Sequence, residues 1–171
     1  MATIQDLREA MNLLAHDPRV IFIGQSVVYG GQRAATTFDD IPEERKIEMP
    51  IAEDFTIGFA AGLSMTGAIP LVFIPRMDFL LCAMNQIVNH LDAIGDRLGA
   101  KVIIRTAVGS STPLDPGPQH TRNCVDGFRR LLRNVDVIDL GDRWTMGAKS
   151  FYQAALERKG SSIIVERMYD Y

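Results

Sequence analysis

The sequence predicts a doubly wound α/β fold: a mainly parallel sheet of about six strands with helices on both faces. Three observations predict it. Strand and helix signals alternate along the whole chain. The strand candidates, such as RVIFIG (19–24) and IPLVFI (69–74), are continuous apolar runs, the pattern of strands buried on both faces. The long Gly- and Pro-rich stretches follow strand candidates, where such folds place their sites.

The elements follow in order. Thr3 is a candidate N-cap, and Leu7, Met11, Leu13 and Leu14 give helical spacing up to Asp17-Pro18. RVIFIG is a strand ending in Gly24. Residues 25–44, with paired Gly, several Thr and Asp and a Pro, form a long loop with room for one short helix. RKIEMP (45–50) is a strand that stops at Pro50, and a helix runs from about residue 53 to Gly67 as C′ glycine. IPLVFI is a strand, 78–99 a long helix apolar on one face, and AKVIIRT (100–106) a strand. Residues 107–123 are a second long loop, 124–133 a short helix, 134–140 a strand, 143–159 a helix and 161–167 the last strand.

The chain has 171 residues, the length of one domain, enough for a core without disulfides or metal. Apolar residues are 47%, charged residues 23% and the net charge is -3, which argues against a nucleic-acid surface or a polybasic membrane anchor. No apolar run reaches the roughly 18 residues of a membrane span. The N-terminal stretch is amphipathic and charged, unlike a signal peptide. Cys82 and Cys124 belong to no CxxC, so free thiols in a reducing compartment, the cytoplasm, are expected.

Most site motifs are missing. GQSVVYGG follows a strand, yet its spacing is neither GxGxxG nor GxxxxGK[ST]. His16, His90 and His120 form no short-range pair, and no HExxH is present, so this chain is expected to hold no metal. There is no GxSxG. Glu53 and His120 remain. Glu53-Asp54 reads as a first-turn acid pair at the positive end of a helix, and His120 as a loop histidine.

Their company changes that reading. The string MPIAEDFTIGFAAGLSMTGAIPLVFIPRMDFLLCAMNQIVN resembles the beta chain of thiamine-diphosphate-dependent 2-oxo acid dehydrogenases, and more widely the pyrimidine-binding domain of the transketolase group. The matching motifs are Pro50-Ile51-Ala52-Glu53, Gly67 to Pro70, Asp78-Phe79 and Gln86-Ile87-Val88-Asn89, then VIIRTAVG (102–109) and QHT (119–121). GQSVVYGG is similar to the family's GE-x-V-x-x-x-GG, with Gln25-Ser26 where many relatives carry acids. The resemblance covers about residues 19–168.

The resemblance implies that Glu53 hydrogen-bonds a ring nitrogen of the cofactor's aminopyrimidine and activates thiamine diphosphate. A poorly solvated carboxyl suits that proton sharing. It implies that His120 lines the substrate side, acting on a substrate carboxylate or as a proton donor. Met77 or Phe79, with Ile51, falls where the family packs the pyrimidine. Gln25, Tyr29 and Arg105 are candidate substrate contacts, Arg105 equally a loop brace. Gly58 and Gly62 lie on one helix face, where small residues let either a partner's helix or this chain's own sheet approach closely.

The GDG…N motif through which the family binds magnesium and diphosphate is missing from these residues, and the C-terminal domain of the beta chains is not expected here. The resemblance therefore implies one half of a split site. A diphosphate-binding subunit carrying GDG…N would hold the Mg2+, most simply as two of each chain. Three reactions are open at that site: decarboxylation of a 2-oxo acid, ketol transfer from a ketose, and carboligation. A non-catalytic scaffold and an unrelated nucleotide-binding α/β protein are the readings outside the family.

Overall fold

The structure is a computed structural model and describes residues 3–31, 33–113, 115–141 and 147–167. It begins with a helix, α1 (Ile4–Ala15), that is set by a reciprocal cap. Asp6 N donates to Thr3 Oγ1 at 3.1 Å, and Thr3 N donates to Asp6 Oδ2 at 2.7 Å. Leu7, Ala10, Met11 and Leu14 are its buried stripe.

Six strands form one sheet: β1 (Val20–Gly24), β2 (Lys46–Glu48), β3 (Ile69–Ile74), β4 (Ile103–Val108), β5 (Asp136–Asp139) and β6 (Ser162–Arg167). The order is β2-β1-β3-β4-β6-β5 and every pairing is parallel, as predicted. β3 and β4 are buried at every position, which is why β3 reads as a continuous apolar run, whereas β4 buries Arg105 and Thr106 as well. The edge strands are short: β2 has three residues and β5 four.

Helices cover both faces. α1, a 3-10 helix at Arg33–Phe38 and α5 (Ala148–Glu157) pack on Phe22, Leu71, Phe73 and Ile164. α2 (Glu53–Ser64) and α4 (Val125–Leu131) share the other face with Val72, Ile74, Ile104 and Val165. α2 ends through Met65, and Gly67, at φ +96°, turns the chain toward β3.

The expected long helix over 78–99 is three pieces: a 3-10 helix at Met77–Ala83, a π-helix at Gln86–Asp92 and α3 (Gly95–Leu98). The spacing of the buried residues explains the break. Met77, Leu80 and Ala83 recur every three residues, which matches a 3-10 turn, whereas Ala83, Ile87 and Leu91 recur every four. No single helical pitch buries both sets. The loop over 25–44 holds two 3-10 helices, the one at Arg33–Phe38 and another at Glu43–Arg45, where one short helix was expected. α5 starts at Ala148, and residues 142–146 of the expected helix lie outside the described residues.

β1 pairs with β2 on one side and β3 on the other, so the strand order reverses at β1. The loops leaving the carboxyl ends of β1 and β3 diverge there and open a crevice.

Candidate active site

The site is assembled where β1, β2, β3 and β4 end. Gly24 closes β1 in a space that admits no side chain, because a Cβ there would lie 2.3 Å from the Phe73 carbonyl oxygen. Ser26 follows in the left-handed region at φ 61°, unusual for a residue with a Cβ. Two backbone N–H groups of this turn, from Ser26 and Val28, donate to Glu48 Oε1 and Oε2 at 2.5 and 2.8 Å. The turn aims Gln25 at the start of α2, where its Nε2 donates to Glu53 Oε1 at 3.1 Å.

Glu53 and Asp54 share the first turn of α2 and part ways. Glu53 is buried, at 7% exposure. Asp54 is exposed and accepts from Gln86 Nε2 at 3.4 Å, while Gln86 Oε1 lies 2.6 Å from His90 Nδ1. The N-cap, Ala52, contributes no side-chain acceptor, so the two carboxylates are the anions at this positive helix end. Among the described residues, Gln25 is the hydrogen-bond partner of the Glu53 carboxyl, and Oε2 accepts none.

A cleft of about 480 Å³ opens beside this pair. Gln25, Ile51, Phe79 and His120 line it, four of the residues singled out in the sequence. Glu53 stands behind the wall, one hydrogen bond from the cleft through Gln25. His120 meets Phe79 edge-on, with ring centroids 5.4 Å apart and planes at 87°. Two contacts hold the His120 loop. Arg122 N donates to Asp78 Oδ1 at 3.3 Å. The His120 carbonyl presses on Gly109, where a Cβ would lie 1.9 Å from it. Cys124, just beyond, has its thiol pushed up in pKa by burial and by the charge of Asp78.

Arg33 and Arg76 also line the cleft and were missed in the sequence. Both bring a guanidinium to the wall of the cleft. Their only sequence signal is an arginine in each of two loops that follow strands.

Three candidates lie elsewhere. Met77 is fully buried in the core, so of the Met77–Phe79 pair it is Phe79 that reaches the cleft. The 3-10 phase of Met77–Ala83 decides this. Tyr29 is 83% exposed and absent from the cleft wall. Arg105 has no exposed surface, so as a substrate contact it is corrected; it braces the fold instead. Its guanidinium pairs with Glu166 and donates to Thr37 Oγ1 at 2.6 Å, tying down the 3-10 helix that carries Arg33.

The outward side of α2 is apolar. Phe55 is 59% exposed, Phe59 39% and the neighbouring Ile51 83%. The two phenyl rings lie 6.2 Å apart. The glycines behind them differ. A Cβ on Gly58 would come within 3.2 Å of the Gln86 side chain, so Gly58 accommodates this chain's own packing, whereas Gly62 faces open space. Among the described residues no three His, Cys, Asp or Glu side chains form a metal-binding group, and no described helix is long and apolar enough to cross a membrane.

Comparison with known proteins agrees with this architecture. Residues 1–167 match the family described as "Transketolase, pyrimidine binding domain". The chain is 32% identical over 179 residues to the pyruvate dehydrogenase E1 component subunit beta of Staurastrum punctulatum, covering 100% of this chain and 53% of that one. It is 27% identical over 174 residues to the chloroplastic subunit beta-3 of Arabidopsis thaliana, covering 98% and 41%. The chain thus spans about half the length of the curated relatives it matches. Among solved structures, one described as "Split gene transketolase, inactive beta4 tetramer" superposes with a TM-score of 0.72 at 22% identity, over 98% of this chain and 51% of that one. That likeness is one of fold.

Proposed function

The chain belongs to the family of transketolase pyrimidine-binding domains, and on that premise we propose that it is one subunit of a thiamine-diphosphate-dependent enzyme whose active site it completes with a partner chain. The observation that carries the reading is the Glu53 carboxyl: buried at a helix start, one oxygen held by Gln25, the other with no hydrogen bond among the described residues. Such a group can take and return a proton at a ring nitrogen.

The residues present fit the aminopyrimidine half of the cofactor. Glu53 offers Oε2 to the ring nitrogen, and Ile51 and Phe79 offer apolar surface to the ring. When bound, thiamine diphosphate supplies the nucleophilic carbon and the electron sink for the carbon–carbon bond that breaks. We assign its diphosphate and Mg2+ to a partner subunit carrying GDG…N, in a complex of two of each chain. This chain itself serves as a single pyrimidine-binding domain. The exposed Ile51, Phe55 and Phe59 suit such a partner's surface.

We propose a 2-oxo acid as substrate, decarboxylated as the names of the plant and algal relatives suggest. Arg33 and Arg76 suit its carboxylate, and His120 suits proton donation beside it. The same two arginines suit a phosphorylated ketose, so ketol transfer is the second reading. The free thiols of Cys82 and Cys124 fit a reducing compartment, and we propose the cytoplasm.

The test is co-expression with a GDG…N chain encoded in the same genome. The complex is assayed for thiamine diphosphate binding and for turnover of 2-oxo acids and of ketose phosphates. Wild type binds and turns over, and Glu53→Gln loses about 10²-fold or more of the rate. A Glu53→Gln complex at near-full rate would refute the proton role, and a chain that binds neither partner nor cofactor would refute the assignment.

A further inference from the structure

We propose that Glu48 is a positioning residue for Glu53, acting through the turn at Ser26 and the Gln25 amide to decide which oxygen of Glu53 handles the proton. The proposal rests on the cofactor reading of Glu53 given above.

Glu48 is outside the cleft wall and is not part of any motif in the sequence. It closes β2, directly beside Gly24 in the register of β1 and β2. From there both of its oxygens are used on one neighbour: Oε1 accepts from Ser26 N and Oε2 from Val28 N. N–H groups of one turn, here those of Ser26 and Val28, converge on one carboxylate in the manner of an anion nest. Here the anion belongs to the protein itself, and it holds Ser26 at a φ of 61° that a residue with a Cβ rarely keeps unaided. Without the carboxylate, two N–H groups lose their acceptor and Ser26 loses its reason to stay left-handed.

Gln25 lies between the fixed Gly24 and the pinned Ser26, so the same grip sets the direction of its side chain. An amide nitrogen only donates, so Glu53 Oε1 must accept. The Glu53 proton, when present, is then directed to Oε2. A carboxyl free to rotate would present either oxygen in either state. The chain of contacts from Glu48 to Gln25 removes that choice before any ligand arrives.

Two measurements test this. In the first, NMR of the full chain follows the Gln25 side-chain amide and the Ser26 and Val28 backbone amides. In wild type the Gln25 amide is displaced from free-glutamine positions and exchanges slowly. In Glu48→Gln and Glu48→Ala it moves to free positions while the core signals of Val72 and Ile104 stay. A Gln25 amide unmoved in a folded Glu48→Ala chain overturns the proposal. If Glu48→Ala does not fold, Glu48→Gln, which keeps the side chain's volume but not its charge, carries the test, and an unmoved Gln25 amide in that folded variant overturns the proposal.

In the second, the complex with the GDG…N chain is assayed. Gln25→Leu, Gln25→Glu and Glu48→Gln each lower kcat about tenfold, with the KM for thiamine diphosphate and for the substrate within about twofold, and Glu48→Asp recovers part of the rate. A raised substrate KM with unchanged kcat would make Gln25 a substrate contact and overturn the proposal. A wild-type complex that binds no thiamine diphosphate overturns the cofactor reading instead, while the NMR result still decides whether Glu48 governs Gln25.

Discussion

Arg105 and Glu166 meet inside the sheet as a two-point ion pair, Nε to Oε1 at 2.8 Å and Nη2 to Oε2 at 3.1 Å. Both are essentially without solvent exposure. The pair is well supplied with partners. Tyr152 donates its hydroxyl to Glu166 Oε1 at 2.6 Å, and the guanidinium lies 5.1 Å from the ring centroids of both Phe38 and Phe73. Arg105→Leu leaves a buried carboxylate uncompensated and should cost about 3–5 kcal/mol in urea unfolding. The double variant Arg105→Leu/Glu166→Leu should recover most of that loss.

Gly109→Ala sets a methyl against the His120 carbonyl, which is backbone and cannot swing aside. The loop must move. We expect a loss of about 1–3 kcal/mol in stability, and the His120 ring resonances should shift as the edge contact with Phe79 opens. Rate loss in the reconstituted complex should approach that of His120→Ala.

The two thiols should react unequally. Cys82 is exposed, whereas the Cys124 thiol is held up by burial and by the Asp78 charge, with Arg122 opposing. Timed alkylation followed by mass spectrometry should label Cys82 first, because the thiolate is the reactive form. Asp78→Asn should speed the labelling of Cys124.

Asp17 provides a pH signature. Its carboxyl is held at about 2 chiefly by the side-chain hydrogen bond from Arg19, whose Nη2 lies 2.6 Å from Oδ2. A lowered folded-state pKa stabilises fully above the unfolded value of about 3.9 and fades as pH falls through the folded one. Asp17→Asn should therefore lower stability at pH 6 by a small amount, and the difference should shrink from about pH 4 downward and vanish only below pH 2.

The sequence revealed much of this fold because the main signal was burial. Strands such as IPLVFI are covered on both faces, and that leaves little room for another reading. Gln25, Ile51, Phe79 and His120 were legible through motifs, and they meet because strand ends converge. Other features depend on contacts far apart in the chain. Arg105 looked like a loop or substrate arginine because its partner lies 61 residues away. Met77 and Phe79 could not be told apart without the phase of a 3-10 turn. Glu48 was a lone acid until Ser26 took a left-handed turn toward it. Arg33 and Arg76 belong to no pattern and become a pair only at the cleft.

The short outer strands have a consequence for how this chain meets others. Among the described residues, with three in β2 and four in β5, the sheet offers little unpaired edge backbone for a foreign strand to extend. The exposed apolar side chains that such a contact could use instead stand on a helix, Phe55 and Phe59 among them. In the proposed complex, partner choice would then be a matter of shape and chemistry that single substitutions can retune, with little of the indiscriminate pairing that an open sheet border invites.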